Sequence, residues 1–250
     1  MQTIAFEPGG YRFIKGVIQY SAGVVAMPGH RLVRVRFHNP VSLNEGFARI
    51  ADVIKAAGRP LTAFAACELR SPAPFSETGF KSFNEIYVGA LARWGIFDGS
   101  VNPVARSNVC PEIHAPQEPS FHAFTYTETA DDAAPSFVVA GSGEAPEGHS
   151  NYRDHVVRLG DVSPDGLREK ARWVLGEMER RLGAMGFAWK DTTATQLYTV
   201  HNVFPFLADE IVRRGAARAG LTWHFNRPPV VDLDYEMDCR GIALECVLTV

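Results

Sequence analysis

Two halves of this chain run through the same order of elements, and that repeat limits the available folds more than any other feature. An apolar, strand-like run, GVIQYSAGVVAMPG, covers residues 16–29, and a similar one, SFVVAGSGEAPEG, covers residues 136–148. Each gives way, after a short gap, to an amphipathic helix. Phe47, Ile50, Ala51, Ile54 and Ala57 recur at helical spacing in the first half. Leu167, Ala171, Val174, Leu175, Met178, Leu182 and Met185 do so in the second. Ser163 and Pro164 supply a cap and a first-turn proline. Both helices stop at a glycine, Gly58 or Gly186, which suits a left-handed cap. A strand candidate follows in each half (LTAFAACEL, TTATQLYTV), then a second helix containing FNEIY or ADEIV, then closing strand-like runs.

Each half therefore reads strand, helix, strand, helix, strand, with an extra N-terminal hairpin. The expected class is α+β: two tandem modules, each a mixed sheet with helices on one face. A helix with one apolar face covers one side of its sheet, so the other side needs a second module against it. Residues 128–135, ETADDAAP, are polar and aperiodic. They place a first module at 1–129, a linker at 130–135 and a second module at 136–250.

Composition narrows the function classes. Hydrophobic residues make up 46% of the 250, enough for a core. The net charge of -3, without basic runs, argues against nucleic acid as a partner. No apolar run approaches the ~20 residues that span a bilayer. The N-terminus lacks the basic start and apolar stretch of a secretory signal. Cys67, Cys110, Cys239 and Cys246 form neither a metal-type pair nor a disulfide framework, and a reducing cytoplasm is expected. The histidines lack metal-ligand spacing, no phosphate-cradling glycine loop is present, and GSGE is not a nucleophile elbow.

PGGY at 8–11, YSAG at 20–23, FNEIY at 83–87 and NPVARSNV at 102–109 resemble, in that order, the signatures of the Rid/YjgF family of reactive-intermediate deaminases. The second half is similar in SGE at 142–144, in its long helix and in VDLDYEMDCRG. FEPGGYRFIKGVIQYSAG and ACELRSPAPF resemble more closely the two-module 2-amino-5-chloromuconate deaminases of nitro- and chloroaromatic breakdown. The resemblance implies a chorismate mutase-like, endoribonuclease L-PSP-like fold that forms trimers, with clefts between modules. It also implies hydrolysis of an enamine or imine without a cofactor: here 2-aminomuconate or a chloro derivative, a small dicarboxylate, releasing ammonia. Relatives have been described as ribonucleases, but the acidic composition argues against that activity here.

By the same resemblance Arg106 holds a substrate carboxylate, a task suited to a planar, permanently charged, bidentate donor. The cysteine often found two positions later in the family is Asn108 here, and Cys110 lies two further on. Tyr11 matches the tyrosine of the opening motif, and Ser21 and Gly23 match the turn that approaches the ligand. Deamination needs an acid/base, in the family often a glutamate on the last strand. Asp232, Asp234, Glu236 and Asp238 alternate, so they could share one strand face. Asp232 and Asp234 read as solvated; Glu236 is the candidate, with Glu68, beside Arg70, as its rival. Opposite the arginine signature the second half has LTWHFNRPP. Either it is a degenerate partner that builds walls, or His224 or Arg227 binds a second carboxylate, as Arg70 also could. A non-catalytic module that senses a small carboxylate is the alternative function, since Arg106 would serve both.

Overall fold

A computed structural model describes residues 2–148 and 151–249. Its elements in chain order are β1 (Thr3–Phe6), β2 (Tyr11–Ile14), β3 (Gly23–Ala26), β4 (His30–Ser42), α1 (Leu43–Ala56), β5 (Phe64–Arg70), α2 (Glu77–Arg93), β6 (Ala105–Pro111), β7 (Ser120–Thr129) and β8 (Phe137–Gly143). There follow α3 (Pro164–Ala184), β9 (Ala194–Tyr198), β10 (Leu221–His224), β11 (Asn226–Arg227), β12 (Glu236–Gly241) and β13 (Leu244–Leu248).

The helices form where periodicity and caps place them. Ser42 accepts a hydrogen bond from the Glu45 amide at the start of α1, and Ser163 accepts one from the Gly166 amide at the start of α3. Gly58 and Gly186, just beyond the ends, take φ of +69° and +85°, a conformation that favours glycine. The second helix expected around ADEIV is much shorter than α2. It is one α-turn, Phe204–Phe206, followed by a π-helical turn, Leu207–Val212. Pro205 sits at its start, and Gly215 and Gly220, at φ +90° and +97°, close the segment.

The strands form two mixed sheets, ordered β1-β2-β3-β8-β12-β9-β10 and β11-β6-β5-β7-β4-β13. Residues 130–135 connect β7 to β8 as turn and coil. The sheets do not divide at that connection. The first three strands lie in the sheet of the second half, and β11 and β13 lie in that of the first. The exchange turns on the two repeated runs, which pair antiparallel with one another: Gly23 with Val139, Val24 with Val138, Val25 with Phe137. A side chain at position 23 would press on the Val138 carbonyl. Only part of each run is strand; residues 18–19 form a turn before β3.

Three apolar clusters hold the layers. One joins α1 and α2 to the six-stranded sheet through Ile50, Ile54, Phe83, Tyr87, Phe121 and Phe124. A second joins α3 to the seven-stranded sheet through Leu167, Val174, Met178, Leu197 and Met237. The third, with Tyr11, Phe13, Val24, Ala66, Ala105 and Ala140, lies between the sheets. The sheet faces free of helix thus cover each other. Fully burying one such large apolar side chain contributes about 1.5–3 kcal/mol. Polar contacts also cross between the sheets, Ser107 to Asp238 and Gln196 to Glu68. Among the described residues no helix is long and apolar enough to cross a membrane.

Candidate active site

Parallel pairing of β5 with β6 sets Cys67 opposite Arg106. Arg106 is 3% exposed. Its guanidinium carbon lies 4.8 Å from the Tyr87 ring centroid, 5.0 Å from Tyr20, 5.5 Å from Phe83 and 5.7 Å from Phe80. Phe80, Phe83 and Tyr87 recur at i, i+3 and i+7, one face of α2. The rings stabilise the cation without using its N–H groups, and both terminal nitrogens are buried without a hydrogen-bond partner. Leaving such donors unmet costs about 1–3 kcal/mol each, more when charged, so the two nitrogens could accommodate an anion.

Arg106 lines a small, partly open cleft. Glu236, the first residue of β12, lines the same cleft and is 4% exposed. Burial, then the neighbouring Asp238 and Glu144, push its carboxyl well above the usual carboxylate range, against Arg70. Its surroundings therefore favour the protonated, neutral form of the carboxyl. Gly141 makes room for it, because a Cβ there would run into the Glu236 carboxyl. Asn108 also faces the cleft; its Oδ1 accepts from Ser71 Oγ at 2.9 Å, which leaves Nδ2 free to donate. Across the cleft, Tyr20 donates to Glu147 at 3.0 Å, and Glu147 is held by buried Arg181 at 3.1 Å. Phe80, Val230 and Leu233 give the remaining wall an apolar character.

The other expected residues have different surroundings. Glu68 does not line this cleft. It is ion-paired to Arg34 at 2.6 Å. Burial pushes its carboxyl up, but Arg34, with help from Arg240 and His122, outweighs this and holds it well below the usual range. These surroundings favour the ionised form of Glu68. Tyr11 is fully buried and donates to the Phe64 carbonyl at 3.1 Å. Ser21 donates to the Pro103 carbonyl at 2.9 Å and bridges to Ala105. Tyr11, Ser21 and Gly23 are framework around the site and do not line the cleft. Arg70 is buried, lies 5.5 Å from the Tyr198 ring centroid and has one terminal nitrogen without a partner. His224 hydrogen-bonds Gln196 at 3.1 Å. Burial, then Arg70, pull it down to about 4, so it is neutral and a poor carboxylate anchor. Arg227 is occupied by Glu112 at 2.6 Å. Burial and Glu236 push the Cys110 thiol up to about 12, so it is not a nucleophile.

Asp232 and Asp234 precede β12 rather than share its face. Asp232 has φ +76° and pairs with Arg153. Asp234 pairs with fully buried Lys170 at 3.1 Å, as does Glu144. Tyr20, Asn108, Gly141 and Glu147 were not foreseen as site residues, although YSAG and the arginine signature contain the first two. Among the described residues, no group of three or more His, Cys, Asp or Glu could hold a metal ion.

A profile of the family described as 2-aminomuconate deaminase CnbZ matches residues 3–246. A 2-amino-5-chloromuconate deaminase of Comamonas testosteroni is 52% identical over 248 residues, covering 98% of this chain and 99% of that one. Among solved structures, a chorismatase superposes with a TM-score of 0.50 at 12% identity, covering 96% of this chain and 79% of the other, a likeness of fold. A candidate endoribonuclease of Thermotoga maritima aligns with 53% of this chain and 90% of its own, at 15% identity and a TM-score of 0.33.

Proposed function

Since the chain belongs to the 2-aminomuconate deaminase family, we propose that it hydrolyses 2-aminomuconate, or a chloro-substituted form, to the 2-hydroxymuconate or its keto tautomer and ammonia. The observation that carries this reading is one cleft lined by a buried guanidinium with two open nitrogens and a buried carboxyl whose surroundings raise its pKa. Arg106 takes one substrate carboxylate, with Asn108 Nδ2 as a further donor. Arg70, whose charge acts on Glu236, takes the second.

Glu236 delivers its proton to the enamine carbon while the nitrogen lone pair forms the C=N bond of an iminium. The resulting carboxylate removes a proton from water as the water oxygen attacks the iminium carbon, the one that bears the nitrogen. Glu236 then protonates the amine of the carbinolamine. Ammonia departs as the hydroxyl proton returns to Glu236 and the C=O bond forms. The iminium is itself an electrophile, so these steps call for no metal or organic cofactor. Fixing the diacid at both ends supplies orientation.

The same reading makes the chain a pair of tandem Rid-like modules, 1–129 and 136–250, assembled as a cytoplasmic trimer. The repeat and the order of its motifs support it. A non-catalytic carboxylate-binding module would need Arg106 but not a buried carboxyl with a raised pKa beside it, which favours the enzyme. Ammonia released from freshly generated 2-aminomuconate and its 5-chloro form tests the proposal: stoichiometric release supports it, and the spontaneous rate with both substrates overturns it.

A further inference from the structure

Glu236 and Asp238 stand two residues apart on β12 and so project from the same face, into the space between the sheets. Their surroundings differ sharply. Asp238 accepts hydrogen bonds from Ser107 Oγ at 2.5 Å, Tyr198 Oη at 2.8 Å and Gln196 Nε2 at 2.9 Å. Ser107 comes from β6 in the opposite sheet, while Gln196 and Tyr198 come from β9, the neighbouring strand. The Gln196 amide is oriented, since its Oε1 is engaged by His224 Nε2. Among the described residues no hydrogen bond reaches the Glu236 carboxyl.

We propose that Asp238 is a positioning residue: by retaining the negative charge of the pair in its three-donor cradle, it keeps the acidic proton on Glu236. This rests on the deaminase reading only for its purpose; the proton's location can be measured without turnover. Two interacting buried carboxyls on one strand face favour holding a proton between them, and it resides where the anion is less well solvated. Three donors favour the anion at Asp238 and none does so at Glu236. Burial and Glu68 push the Asp238 carboxyl up too, against Ser107 and Gln196, so the pair holds its shared proton firmly.

Other charged and titratable groups also face Glu236. Glu144 is paired with Lys170, and Glu147 with Arg181 and Tyr20. Arg70 opposes the effect from the end of β5, Cys110 on β6 stays a neutral thiol, and Arg106 faces the same cleft. Of these neighbours, Asp238 has the largest charge effect on Glu236.

The test is infrared titration of the purified chain, with the protonated-carboxyl band of Glu236 assigned by its loss in Glu236→Gln. In Asp238→Asn this band is expected to titrate lower by about one pH unit or more, a tenfold change in the protonated-to-ionised ratio. Tyr198→Phe and Ser107→Ala weaken the cradle, so the proton moves toward Asp238 and the Glu236 band shrinks at neutral pH. The alkaline limb of kcat/KM should follow the band in Asp238→Asn. An unchanged band in Asp238→Asn overturns the proposal; should that variant not fold, an unchanged band in both cradle variants overturns it. A shifted band in a protein without deaminase activity would uphold the carboxyl pair and refute the function instead.

Discussion

Arg106 and Glu236 face one cleft from different sheets, the arginine on β6 of the six-stranded sheet and the glutamate on β12 of the seven-stranded one. Neither sheet alone would make the site. The buried guanidinium and the buried carboxyl are brought together by the face-to-face packing of the two sheets.

Replacing Arg106 with Ala removes two charge-assisted hydrogen bonds, each contributing about 1.5–3 kcal/mol. A fall in kcat/KM of roughly a hundredfold or more is expected, with Lys a poor substitute because it lacks the bidentate fork. Steady-state kinetics on folded variants checks this. Unchanged constants in Arg106→Ala would make the residue structural.

Gly141→Ala should damage the reaction while leaving the helices in place. The added methyl would run into the Glu236 carboxyl and lie 3.2 Å from Ser107. The expected outcome is a loss mainly in kcat, with circular dichroism close to that of the parent. Wild-type kcat in this variant would show that the carboxyl need not sit where it does.

The pH dependence has a defined sign. Glu236 is raised in the folded state, so its protonated, active form is lost as pH rises through its folded pKa, and kcat/KM falls on that alkaline limb. Its contribution to stability behaves likewise: full below the unfolded pKa, lost as pH rises through the folded one. Glu68 is depressed, and its contribution is present above the unfolded pKa and lost as pH falls through the folded one. Denaturant titrations of Glu236→Gln and Glu68→Gln across pH separate the two. In Glu236→Gln the alkaline loss should diminish, and in Glu68→Gln the acid loss should.

Much of this architecture was legible in the sequence because it depends on local signals. The cap at Ser163, the proline at 164 and the glycine at 186 delimit α3 within two residues. Arg106 and Glu236 were legible through short motifs of the resembled family. Strand exchange was not, since the pairing of β3 with β8 joins residues as far apart as Gly23 and Val139 and has no local signature. The same limit misdirected attention within YSAG. Ser21 and Gly23 stood out as turn residues, yet they hold the backbone, and the ring of Tyr20 meets Arg106. Glu68 looked like a rival acid only because its partner, Arg34, lies on a strand separated from it by α1.

Assembly should be a closed trimer. Phe204, Trp223 and Phe225 are 70%, 37% and 50% exposed, and β10, which carries Trp223, is the outer strand of its sheet. Exposed rings beside an open strand edge suit burial against another copy. Light scattering at micromolar concentration should give the mass of three chains, and Trp223→Asp should lower it. A monomeric mass for the parent would contradict the assembly.

The most direct test of the central claim is stopped-flow absorbance of freshly generated 2-aminomuconate, with ammonia counted at the end, for the parent and Glu236→Gln. The account predicts accelerated decay with one ammonia per substrate in the parent. In Glu236→Gln, where no proton can be delivered, decay should return to near the spontaneous rate although substrate still protects the protein against thermal unfolding. Parent-like decay in Glu236→Gln, or no acceleration by the parent, would contradict it.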